Sequence, residues 1–195
     1  GRTGRWWAVD HWGVVPDLIT MAKGLTSSYL PLGAVGMRRS IANQFSEKVF
    51  YGGLTYNSHP MACAAALATI RVYEEDKLIE NSERMGQVLA RELGRLKEKH
   101  PSVGEVRSIG LFSIIELVKD RKTREPLAPY NAKPDQMGVM NKVGSFLREN
   151  GLYTFIRWNN VFANPPLCIT EAELMEGISI VDRALEISDQ AVARA

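Results

Sequence analysis

Between residues 78 and 99 the chain repeats apolar side chains at helical spacing: Met85, Val88, Leu89, Leu93 and Leu96 stand among charges. Such a stripe makes a helix with one oily face, and that face needs a partner element. The pattern stops at His100-Pro101, because proline disfavours continuation of the helix before it. The next segments supply the partners. Leu111 to Val118 is an apolar run of strand length, and Val106 onward alternates less cleanly. A polar loop covers 119–133, with Pro126 and Pro129, and a helix is expected over 134–149. Asn150-Gly151 suits its C-terminal cap. Two short strands, 152–157 and 161–164, flank a turn at Asn159-Asn160. Pro165-Pro166 then breaks the chain. Thr170 and Glu173 form a T-x-x-E capping box. Leu174, Ile178, Val181 and Leu185 mark the buried stripe of a last helix. Residues 77–195 therefore read as a small α+β domain.

The first 76 residues have another texture, rich in glycine and short strands. Gly1, Gly4, Gly13 and Pro16 punctuate a loop. Asp17 to Ala22 is a strand-length apolar run that Lys23-Gly24 ends, and Ala34–Met37 is a second short strand. A helix is expected over 39–47. After the Gly52–His59 loop, Ser58 suits an N-cap and Pro60 the first turn of an alanine-rich helix reaching about Tyr73. Its small residues imply close approach to a neighbouring element.

The overall balance excludes several classes. With 45% apolar and 24% charged residues and a net charge of +2, the chain has the composition of an ordinary globular protein. Basic and acidic residues interleave, so no nucleic-acid footprint emerges. No apolar run is long enough for a membrane span. Cys63 and Cys168 make neither a metal nor a disulfide pattern and read as buried thiols of a cytoplasmic protein; no metal is expected. Trp6, Trp7 and Trp12 read more readily as core than as an entrance lining. The chain opens on Gly-Arg-Thr-Gly without Met, and a fragment is expected.

A lysine between an apolar strand and a glycine projects into a cleft, where desolvation favours the neutral amine. Such an amine forms a Schiff base with a carbonyl. Taken alone, Lys23 reads more readily as an ordinary surface lysine. Its context decides. Pro16-Asp17-Leu18-Ile19-Thr20-Met21-Ala22-Lys23-Gly24, then Pro31-Leu32-Gly33-Ala34, closely resembles the lysine segment of class III (ω-amino acid) aminotransferases, enzymes that use pyridoxal 5′-phosphate (PLP). Gly1-Arg2-Thr3-Gly4, Thr55-Tyr56-Asn57-Ser58-His59-Pro60 and Pro165-Pro166-Leu167-Cys168-Ile169-Thr170 resemble three further segments of that family, in the same order. Val106–Phe112 and Gly151–Asn159 look like its taurine–pyruvate branch.

The resemblance implies a partial large α/β domain of PLP fold type I over 1–76 and a small C-terminal domain over 77–195. It implies that Lys23 binds PLP and moves a proton at the substrate carbon. It implies that Thr55, with the N–H groups near Gly53, binds the cofactor phosphate, reaching over from the neighbouring subunit of a homodimer or higher homo-oligomer. Arg157 is a candidate for the substrate's carboxylate or sulfonate, though it stands slightly off the family position and is equally an exposed strand residue. The implied reaction is ping-pong transfer from an ω-amino donor such as taurine to a 2-oxo acid such as pyruvate. Two alternatives stand beside it: an aminomutase of the same family, and a catalytically incomplete domain serving folding or dimer assembly. The family's aspartate for the pyridine nitrogen, its glycine-rich phosphate loop and its ring-stacking aromatic belong to segments upstream of Gly1.

Overall fold

The computed structural model describes residues 1–192. The chain divides into two compact units. One comprises Gly1 and Arg5–Ile79; the other comprises Arg2–Gly4 and Glu80 onward. The break thus follows Ile79 rather than residue 76, and Arg2–Gly4 packs with the second unit.

In the first unit, β1 (Leu18–Met21) and β2 (Ala34–Met37) pair antiparallel, Leu18 opposite Met37 and Met21 opposite Ala34. The helix expected over 39–47 is only α1 (Arg39–Ala42) followed by a 3₁₀ turn at Asn43–Phe45. That segment buries no side chain, so no apolar face sustains a longer helix. The alanine-rich helix α2 runs Pro60–Glu75 and buries Ala62 and Ala66. Its N-cap is His59, not Ser58. Ser58 takes a left-handed conformation (φ 54°), which is not that of an N-cap.

The second unit has one core. Helix α3 (Leu78–Lys99) carries the expected apolar stripe, and Met85, Leu89 and Leu93 are 0–1% exposed. Strands β3 (Val103–Ile109) and β4 (Phe112–Asp120) form an antiparallel hairpin. Ser113, Ile115 and Leu117 alternate inward on β4, the period-two signature of a sheet face on a core. The short β5 (Glu125–Pro126) pairs with β4. A 3₁₀ turn at Pro134–Met137 leads into α4 (Gly138–Glu149). Strands β6 (Ile156–Arg157) and β7 (Asn160–Ala163) complete the order β3-β4-β7-β6. Their turn is Trp158-Asn159, one residue earlier than expected. Helix α5 (Glu171–Asp189) starts on the anticipated box: Glu173 N–H donates to the Thr170 hydroxyl at 3.3 Å, and Thr170 N–H donates to the Glu173 carboxylate at 2.9 Å. Leu174, Ile178, Val181 and Leu185 are all buried. Each such side chain taken from water contributes about 1.5–3 kcal/mol before entropy is subtracted.

The β3–β4 turn packs backbone to backbone. Gly110 is left-handed (φ 54°), and a Cβ there would lie 2.4 Å from the Thr3 carbonyl carbon. A Cβ on Gly86 of α3 would lie 2.5 Å from Gly110. Neither obstacle is a flexible side chain, so relief requires the helix or the turn to move. Gly86→Ala is expected to destabilise the second unit by about 2–3 kcal/mol, the upper part of the range for overpacking. Thermal unfolding checks this, and an unchanged Tm would refute it.

Two burial expectations are corrected. Cys63 is half-buried and Cys168 exposed. Trp6, Trp7 and Trp12 are exposed, Trp12 at 69%. The Trp6 ring lies 6.0 Å from that of Tyr73. Among the described residues no helix is long and apolar enough to cross a membrane.

Candidate functional site

Strand β1 ends at Met21, Ala22 is fully extended, and the chain then reverses through a 3₁₀ turn at Lys23–Leu25. The turn closes through Leu25 N–H to Ala22 C=O (3.2 Å) and Thr26 N–H to Lys23 C=O (3.3 Å). Lys23 itself has φ 54°. A non-glycine residue there pays a conformational cost of about 1–2 kcal/mol, which the surrounding structure must offset. Thr26 helps to do so: it is 1% exposed and its hydroxyl donates to Leu30 C=O at 2.5 Å. Gly24 fits against α2, since a Cβ there would lie 3.2 Å from the Tyr73 hydroxyl.

The turn forms one wall of a cavity of about 720 Å³, a size typical of small-molecule sites. Lys23, Ser28, Leu32, Tyr56, Asn57 and Ser58 are among the residues that line it. Three of these residues, Lys23, Ser28 and Ser58, are left-handed, as is Ser27 beside them. Backbone strain in non-glycine residues gathers at sites whose side chains must be aimed.

The loop that faces Lys23 is held by few bonds of its own: Asn57 N–H to Leu54 C=O (2.9 Å) and His59 N–H to Tyr56 C=O (3.3 Å). Among the described residues the N–H groups of Gly53, Leu54, Thr55 and Tyr56 meet no protein acceptor. A row of free backbone donors suits an anion with several oxygens.

Of the residues anticipated from sequence, Lys23 lines the cavity. Thr55 and Gly53 belong to the facing loop, are exposed, and do not line it. Lys23 is also exposed, so the described residues do not provide the desolvation expected of it. Arg157 lies in the second unit, on β6, with its guanidinium carbon 4.4 Å from the Trp158 ring centre. Sequence reasoning missed Ser28, Tyr56 and Asn57 as cavity residues. No periodicity marks them; the clue was the run of serines in a turn after the lysine.

An amine beside hydroxyls and unpaired N–H donors can bond a carbonyl compound that also carries an anion. Known proteins resemble this chain along nearly its whole length. The family model described as aminotransferase class-III matches residues 1–185. The uncharacterized aminotransferase YhxA of Bacillus subtilis is 42% identical over 180 residues, 89% of this chain and 39% of its own length. The putrescine–pyruvate aminotransferase of Pseudomonas aeruginosa is 36% identical over 195 residues, 98% of this chain and 41% of its own. The crystal structure of taurine:2-oxoglutarate aminotransferase from Bifidobacterium kashiwanohense, in complex with PLP and glutamate, superposes with a TM-score of 0.90 at 38% identity. That match covers 98% of this chain and 42% of the other. The chain spans about two fifths of the length of the proteins it matches.

Proposed function

We propose, from the premise that this chain belongs to the class-III aminotransferase family, that it carries the lysine side of a PLP-dependent amino-transfer site. The observation that carries the reading is Lys23, held left-handed at the end of β1 on the wall of the 720 Å³ cavity. The cavity's size and hydroxyls, with the Lys23 amine on its wall, suit a cofactor that carries an aldehyde. When bound, PLP supplies the electron sink that lets an amino group leave one carbon and join another.

The chain's own residues divide the remaining work. Lys23 Nζ attaches the cofactor covalently. Once released, it removes and returns the proton on the substrate carbon that bears the amine, a general acid–base role. Thr55 and the N–H groups of Gly53–Tyr56 hold the phosphate. By the family pattern, Thr55 and its loop serve the neighbouring copy of a homodimer. Arg157 takes the acid group of the substrate, since a planar guanidinium matches a carboxylate or sulfonate with paired donors. The amino donor is an ω-amino compound such as taurine and the acceptor a 2-oxo acid such as pyruvate. Taurine and putrescine relatives stand at similar identity, so the donor rests on the taurine-like segments Val106–Phe112 and Gly151–Asn159.

The test is direct. The enzyme is incubated with PLP, freed of excess, reduced with borohydride and digested. The cofactor's mass is expected on the peptide holding Lys23. Attachment at another lysine, or none, would overturn the assignment.

A further inference from the structure

The turn between β6 and β7 holds a second residue in a costly conformation. Arg157 pairs with Asn160, so Trp158 and Asn159 alone make the connection. Two-residue hairpin turns favour Asn or Gly where φ is positive. Here the first position is tryptophan, with φ 52°. A bulky left-handed residue persists only where its surroundings over-determine it.

Those surroundings are visible on both sides. Asn159 is 9% exposed and pins the turn to β4: its side-chain amide donates to Leu117 C=O at 3.0 Å, and its own C=O accepts from Leu117 N–H at 2.8 Å. The Trp158 ring packs against Tyr130, centroids 4.4 Å apart. The Arg157 guanidinium lies over the same indole, also at 4.4 Å. Among the described residues no carboxylate pairs with Arg157. The guanidinium rests instead against the indole's electron-rich face.

We propose that Trp158 is a positioning residue: its indole holds the Arg157 guanidinium pre-aimed and unneutralised, so that the arginine accepts the carboxylate or sulfonate of the substrate. The inference rests on the reading of Arg157 as the acid-binding residue. It explains why a turn that local preference would give to Asn or Gly is made with tryptophan. A guanidinium on a flexible stem loses rotamer freedom when it binds. Stacking removes that freedom beforehand and leaves the N–H fork open, because the ring occupies only one face of the plane.

The test measures the Kd of isethionate, a sulfonate without an amino group, for the PLP-loaded enzyme by calorimetry. Trp158→Ala is expected to weaken binding about tenfold and Trp158→Phe by less than about threefold, since a smaller ring still stacks. Arg157→Ala is expected to weaken it similarly, with the double variant no weaker than Arg157→Ala alone. Trp158→Asn separates this from a fold effect: it suits a left-handed turn, so Tm holds or rises while anion affinity falls. In turnover, KM for the acidic substrate is expected to rise more than kcat falls. Trp158→Ala and Trp158→Asn binding like the parent, while Arg157→Ala is impaired, would overturn the role of Trp158 and leave that of Arg157. Additive losses would overturn it too, because the two side chains would then act independently. Parent-like binding by Arg157→Ala would remove the acid-binding reading and this inference with it.

Discussion

Lys23→Ala is expected to lower the transamination rate of the PLP-loaded enzyme by about 10²–10⁴-fold, the usual contribution of one general acid–base group. Single-turnover measurement of the amino-donor half-reaction reads the loss. The effect is large because, among the described residues, no second amine lines the cavity with Lys23. The neighbouring hydroxyls of Ser28, Tyr56 and Ser58 do not accept a proton readily at neutral pH. Lys23→Arg is expected to fail nearly as badly, since a guanidinium stays protonated and cannot take a proton from carbon. Stability should move the other way. Lys23→Gly removes the left-handed cost and is expected to raise stability by about 1 kcal/mol while abolishing activity. A Lys23→Ala enzyme within about tenfold of the parent rate would sink the assignment.

The second large effect lies in the second unit. His100→Ala is expected to destabilise the second unit by about 3–5 kcal/mol, the cost of removing one partner from a buried charged network. His100 follows α3 and is 1% exposed. Its Nε2 meets Asp182 at 2.5 Å and its Nδ1 meets Asp189 at 2.6 Å, both on α5. Lys99 Nζ bonds both Asp182 oxygens at 2.7 Å, and Asp189 accepts from the Ser102 N–H (3.1 Å) and hydroxyl (2.6 Å). Without the imidazole, two carboxylates face a void with fewer donors. His100→Gln, which keeps one donor, is expected to lose less. Denaturant unfolding decides, and a loss under about 1 kcal/mol for the alanine variant would mean that water replaces the ring without cost.

The same network sets an acid limit. Burial pushes the Asp182 carboxyl up, but the hydrogen bonds and charges of Lys99 and His100 outweigh it and hold the group below its ordinary value of 3.8. A folded value below the unfolded one stabilises the protein above pH 3.8, and the gain is lost as pH falls through the depressed value. The stability gap between the parent and Asp182→Asn should therefore narrow below about pH 4. A gap that stays constant with pH would show that the carboxylate's charge contributes nothing.

Several structural features could be read from the chain alone because they are local. The stripe of α3 and the Thr170–Glu173 box are patterns within a few turns of helix, where side-chain spacing and the backbone donors of one helix end dictate the outcome. Lys23 was legible because its neighbours on both sides form a motif. Strand β3 was half-seen, since Val103–Ile109 alternates imperfectly and is stabilised by pairing with β4 rather than by its own pattern. Ser58 shows the limit of local rules: its residue type fits an N-cap, yet the path of the loop into the cavity wall puts His59 there instead.

By itself, then, the sequence determined the long helices with an apolar stripe and the family the chain joins, because each depends on residues close together along the chain. Only the tertiary structure decided the left-handed backbone at Lys23 and Trp158, the guanidinium resting on the indole, and the meeting of His100 with Asp182 and Asp189 more than 80 residues away. These arise when distant segments pack against one another. The free energy of that packing forces conformations that no residue's own preference would select.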